Sequence, residues 1–189
     1  MSQSTRALEG YSAATHLHLW RPRPQPSGVI TSSVRNTSDG LEALSMSGWC
    51  RLPFGLDLKS KFPPRLTLEL TAEQAAALGA LDRWADRASL VGVGAWSPVV
   101  RTSKRYPPTV ALKLALEGEH LTSFRVLSAE GEVLASGQGL RFLQEEAGED
   151  LLWRNWEARV VLTPRCVWLM GARRGLQLMA LEVDVRLRS

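Results

Sequence analysis

The strongest constraint in the sequence is the stretch 157–187, where two alternating runs flank one tight basic turn. In the first run Ala158, Val160 and Leu162 share a side, and after Thr163-Pro164 it resumes as Arg165-Cys166-Val167-Trp168-Leu169-Met170. In the second, Met179, Leu181, Val183, Val185 and Leu187 oppose Ala180, Glu182, Asp184 and Arg186. A period of two is what a half-buried strand requires, because successive side chains point to opposite faces. Between the runs lies Gly171-Ala172-Arg173-Arg174-Gly175. Glycines on both sides can supply the positive φ of a hairpin loop with a bulge, which places Arg173 and Arg174 at an exposed tip. On residue type alone, such arginines either meet an anion or merely keep a surface hairpin soluble.

With 189 residues the chain has the length of one domain that buries its own core. Apolar residues are 44% and charged residues 22%, which excludes a largely disordered protein. The net charge of +4 favours an anionic partner without naming one. Cys50 and Cys166 sit far apart in β-like runs, show no metal spacing, and read as buried thiols in a reducing compartment. No apolar run approaches a membrane span, and residues 1–14 lack the basic-then-apolar order of a secretory signal. An intracellular, non-secreted protein that does not engage a membrane is expected; an organelle destination stays open.

Taken in order, Thr15 to Trp20 alternates as a short strand or docked arm, and Arg21-Pro22-Arg23-Pro24-Gln25-Pro26 reads as a polyproline-like connector. Residues 1–28 are therefore expected as a flexible arm and linker, and 29–189 as a single β-rich domain. Val29 to Arg35 should pair through the turn Asn36-Thr37-Ser38-Asp39-Gly40 with a second arm running from Leu41 toward Trp49, which stops at Pro53-Phe54-Gly55. Lys59, Lys61 and Arg65 surround Phe62-Pro63-Pro64 in a stiff basic loop, and Leu66, Leu68 and Leu70 follow as a strand. Thr71-Ala72-Glu73-Gln74 is a capping box that opens the one expected helix, residues 71–88, with Leu78, Leu81, Trp84 or Ala85, and Ala88 at helical spacing, which assigns Trp84 to the core. Val110 to Leu116 alternates as a strand, and meander hairpins follow through Phe124-Arg125-Val126 and Val133-Leu134. Gln144 to Asp150 reads as an acidic loop. Roughly eight short strands and one helix predict a mainly β (α+β) fold, a β-barrel or sandwich with one inserted helix.

Catalytic chemistry finds no support. The histidines are His16, His18 and His120, and no Gly-x-Ser-x-Gly elbow accompanies them. His16-Leu17-His18 lacks further metal ligands, Glu145, Glu146, Glu149 and Asp150 miss the calcium-loop spacing, and Gly92-Val93-Gly94 is not a phosphate loop. No metal, cofactor or enzymatic activity is expected. Seven tryptophans beside two tyrosines stand out instead, with Trp49, Trp96, Trp153, Trp156 and Trp168 in basic or strand-edge contexts. Most should be core; any exposed rings suit base stacking, with neighbouring cations tracking phosphates, a design that OB-type barrels usually carry. The densest mix of cations and aromatics is Trp96, Arg101, Lys104, Arg105 and Tyr106. The expected contacts are Arg101, Lys104, Arg105, Arg173 and Arg174, with Trp96 and Trp168 as platforms.

Three stretches occur in a telling order: Asn36 to Gly55, then Tyr106-Pro107-Pro108-Thr109 leading into Lys113, then Trp168-x-x-Gly171-x-x-x-Gly175. Together they resemble a family of small proteins of large algal DNA viruses and some protists, which are similar to bacteriophage single-stranded DNA-binding proteins. The resemblance spans about residues 29–187. It implies an OB-like barrel, single-stranded DNA in preference to RNA, and a non-catalytic role in replication or recombination, with Tyr106 and Lys113 among the contacts. For a viral protein it implies the nucleus or a viral replication site. The chain departs from that pattern in ending Arg186-Leu187-Arg188-Ser189 without an acidic tail, and in lacking an aromatic in Leu176-Gln177-Leu178-Met179. A homodimer stays open. So does a second class, a structural protein of a virion or ribonucleoprotein assembly, from which salt-sensitive DNA binding would separate the first.

Overall fold

A computed structural model describes residues 5–59, 63–118, 120–146 and 152–188. Its strands are β1 (Thr5–Ala7), β2 (Leu17–Leu19), β3 (Arg23–Pro24), β4 (Ile30–Asn36), β5 (Ala43–Ser45), β6 (Cys50–Arg51), β7 (Arg65–Glu69), β8 (Ala95–Ser97), β9 (Val100–Arg101), β10 (Thr109–Leu114), β11 (Ser123–Leu127), β12 (Val133–Gln138), β13 (Glu157–Met170) and β14 (Arg173–Arg186). The helices are α1 (Ala13–His16), α2 (Ala72–Ala88) and α3 (Gly139–Glu146).

The two alternating runs become β13 and β14, each of 14 residues, paired antiparallel from Glu157 opposite Arg186 to Met170 opposite Arg173. At about 3.3 Å per residue this ribbon is roughly 46 Å long. Thr163-Pro164 does not end the first strand. Register shifts at Val161/Leu162 and Pro164/Cys166 take up the missing proline N–H as bulges. A ribbon this long has two long edges, and short segments cover both. On the β13 side β4, β5 and β6 pair antiparallel in succession. On the β14 side β8, β10 and β11 pair parallel in succession. β7 extends β10, β12 extends β11, and β1 extends β5.

The fold is thus mainly β, as expected, but the sheet is mixed and is not closed into a barrel. Its main path runs β1-β5-β13-β14-β10-β7, and the two terminal strands do not pair with each other. The expected closure into an OB-like barrel fails for a packing reason. A small barrel fills its interior with strand side chains alone. Here α2 lies against β14 and contributes Leu78, Leu81 and Ala85 to the core, so the sheet is covered by a helix.

α2 starts where the capping box places it. Thr71 Oγ1 accepts from the Gln74 backbone at 3.2 Å, and Gln74 Oε1 accepts from the Thr71 N–H at 2.9 Å. Gln74 is also buried, donating through Nε2 to the Ser47 carbonyl at 2.6 Å.

The expectation of one helix is corrected by α3, which occupies the start of the supposed acidic loop. Barely two turns long, it is too short to establish a helical period, yet it buries Phe142 and Leu143. Gly137 on β12 makes room for it, since a Cβ there would overlap the Phe142 ring. Residues 147–150 of that expected loop lie outside the described residues.

The supposed arm is built in as well: β1 pairs with β5, β2 and β3 pair with β4, and Leu8, Ala13 and Leu17 join the core. Of the alternating residues 15–20 only Leu17–Leu19 form a strand, Thr15 and His16 ending α1, and Arg23-Pro24 is tolerated because it lies at a sheet edge, where a missing N–H costs little. The turn after β4 forms, with Asp39 at φ 60° and Asn36 N–H donating to Gly40 O at 3.0 Å, but its arms diverge, β4 and β5 each pairing with β13. Among the described residues no helix is long and apolar enough to cross a membrane.

Candidate nucleic-acid interface

Alternation on β10 sends Val110, Leu112 and Leu114 inward and leaves Lys113 exposed. On β7 the same rule buries Leu66 and Leu68 and exposes Arg65. The antiparallel register sets Lys113 directly opposite Arg65. Like charges in that position repel and weaken a sheet by roughly 0.2–1 kcal/mol.

Beside this pair is a groove of about 430 Å³, walled by Arg65, Lys113 and Arg101 on one side and by Trp168 and Met170 of β13 on another. Gly175 makes the Trp168 wall possible: a Cβ there would stand 3.0 Å from both the indole Cζ2 and the Ser97 carbonyl of β8. The described lining residues include no aspartate or glutamate. Among the described residues Arg65, Arg101 and Lys113 form no ion pair.

Of the residues singled out in the sequence, Arg101, Lys113 and Trp168 are brought together here. Lys104, Arg105 and Tyr106 are exposed in the loop between β9 and β10 and do not line the groove. Trp96 and Arg174 are taken out of the expected surface. The hairpin turn is Gly171-Ala172, with positive φ at Gly171 alone of the two bracketing glycines, so both arginines belong to β14, Arg173 exposed and Arg174 partly buried. The Arg174 side chain is only 19% exposed; its Nη2 meets Asp86 Oδ1 at 2.6 Å and its Nε donates to Gly94 O at 3.1 Å. Its guanidinium lies over the Trp96 ring at 5.3 Å, covering the expected platform. The Trp96 indole nitrogen is buried near Asp82, whose carboxyl is raised by burial and pulled back down by that indole and by the Val99 N–H.

Arg174 therefore locks α2 to the hairpin. Arg174→Ala should destabilise the fold by about 1–2 kcal/mol in urea, from a lost charge-assisted bond to a partly exposed Asp86 and a lost bond to the part-buried Gly94 carbonyl, with no change in affinity for anionic ligands. A weaker ligand affinity with unchanged stability would return Arg174 to the site.

The tryptophans divide the same way. Trp153 is buried against Phe124 at 5.7 Å, and Trp49 lies under Arg186 at 4.1 Å and Arg159 at 5.3 Å. That second arginine cluster is partly neutralised from within, by two carboxylates for three arginines. The Asp184 side chain, 5% exposed, takes Arg125 at 2.6 and 2.9 Å and Arg159 at 2.8 Å across three adjacent strands, and Arg186 meets Glu157 at 3.1 Å. The hydrogen bonds to Asp184 raise the Arg125 pKa. Both thiols are raised by burial, Cys50 to about 11, which makes them poor nucleophiles. Among the described residues no group of three or more His, Cys, Asp or Glu could hold a metal ion.

Arg65 was missed as a site residue because its partner is 48 positions away, and only the register between β7 and β10 joins them. The stiff basic loop around Pro63-Pro64 was its one sequence signal. No protein-family model matches the chain, and no curated protein matches it, so a functional reading rests on this chemistry.

Proposed function

We propose that the protein binds single-stranded DNA in the groove between β7, β10 and β13, acting without catalysis where strands are held open, as in replication or recombination. The observation that carries this reading is the opposed Arg65–Lys113 pair, left without a carboxylate beside an accessible indole. Such a pair costs stability in the free protein and is relieved by a bound anion. Arg174 and the Arg125–Arg159–Arg186 cluster hold carboxylates of their own, whereas the described lining of this groove includes none. An indole beside phosphate-tracking cations suits a strand whose base faces are free, which a duplex does not present. Val29, Met170 and Leu178 in the lining add apolar surface beside the indole, against which a sugar or base face can pack.

Fluorescence anisotropy with a labelled thymidine oligomer at several salt concentrations tests it. Three groove cations at roughly 0.7 per phosphate predict a log–log salt slope of about 2 for single strands. Duplex and RNA oligomers should bind more weakly. Salt-independent binding, or a preference for duplex, would overturn the proposal.

A further inference from the structure

A second concavity, lined by Phe54, Gly55, Asp57, Pro63, Pro64, Arg65 and Thr67, shares Pro63 and Arg65 with the groove. Arg65 therefore stands on the wall between two adjoining recesses. Phe54 is 66% exposed, although it lies between Leu52 and Leu56, both almost fully buried. The backbone fixes it there. Leu56 exchanges hydrogen bonds with Leu152 at 2.7 and 3.2 Å, and Leu52 O accepts from Asn155 N–H at 2.8 Å. Gly55 between them has φ +62°, and a Cβ on it would stand 2.5 Å from the Leu152 carbonyl and 2.8 Å from Arg154 N. No L side chain fits that position, so the chain uses a glycine to hold an aromatic ring outward. An exposed aromatic anchored on both sides gives up little conformational freedom when a ligand covers it.

Resting on the single-strand reading above, we infer that Phe54 is the stacking platform of a second nucleobase subsite, and that Arg65 binds the phosphate linking it to the nucleotide on Trp168. The charge around the second recess assigns its occupant. Asp57, exposed in its lining, repels a phosphate but accepts hydrogen bonds from an exocyclic amine of a base. The anion thus belongs at Arg65 and the uncharged base beyond it. The two recesses take a dinucleotide unit, and an amino-bearing base such as cytosine suits the Phe54 side better than thymine.

The test uses the full chain and labelled 12-nucleotide deoxycytidine and thymidine oligomers. Phe54→Ala should weaken deoxycytidine binding about tenfold, within the range for one lost stacking contact, while the melting temperature and salt slope hold, because an exposed uncharged side chain is removed. Phe54→Trp should restore the affinity. Arg65→Ala should lower the salt slope by about 0.7. Should the wild type and Phe54→Ala bind equally while Trp168→Ala binds weakly, the groove stands and the second subsite is overturned. Binding of neither oligomer by the wild type overturns both proposals.

Discussion

Lys113→Glu should make the protein more stable and at the same time a much poorer ligand for single strands. The two effects have one source. In the wild type Lys113 faces Arg65 across the β7–β10 pair, and neither has a carboxylate partner among the described residues. Glutamate at 113 turns this repulsion into a cross-strand ion pair, expected to stabilise the sheet by a few tenths to about 1 kcal/mol in chemical denaturation. The same change removes one groove cation, engages a second, and adds a negative charge where a phosphate would sit. Affinity should fall by more than about tenfold at low salt, and the slope should drop by roughly 1.4, the share of two phosphate contacts. Lys113→Gln separates the parts: it removes repulsion without pairing Arg65, so it should lower the slope by only about 0.7. Stability and affinity falling together would mean that Lys113 serves the fold, and the groove would lose its main support.

What could be read from the sequence was what depends on neighbours in the chain. The capping box at Thr71 and Gln74, the strand alternation around Val110 and Leu112, and the turn at Asp39-Gly40 are local, and each forms. Partners were not legible. The strand after Asn36 looked like the return arm of a hairpin, yet both arms pair with β13. Turn chemistry fixes the direction of the chain, while pairing is decided by which edge offers an apolar face. Arg174 shows the same limit at the site. Two glycines around a pair of arginines suggested one loop with a basic tip, but Gly175 is a strand residue there because Trp168 and Ser97 need its space, which brings Arg174 to Asp86. Arg101, Lys113 and Trp168 were identified as types in suitable contexts. That they share one groove with Arg65 follows from the sheet order, for which the sequence contains no short-range signal.

Phe124→Ala should be the most damaging single substitution in the inner face of the sheet, at about 3–5 kcal/mol, a large part of the 5–15 kcal/mol typical of a domain. Phe124 is 1% exposed on β11, with the Phe142 ring of α3 centred 6.0 Å away and Trp153 5.7 Å away on another side. It is where the short helix and the segment before β13 meet the sheet. Truncation would leave a cavity walled by two large rings, which cannot close it without moving their backbones, so the cost belongs at the upper end for a phenylalanine. Phe124→Leu retains most of the volume and should cost about half as much. The groove lies around β7, β10 and the Trp168 half of β13, none of which carries this cluster. DNA affinity per folded molecule should therefore survive in both variants, and the Phe124→Ala protein should denature at a lower urea concentration with the slope of the transition unchanged. A loss below about 1 kcal/mol would mean that α3 packs loosely and that the core is carried by α2 and the ribbon alone.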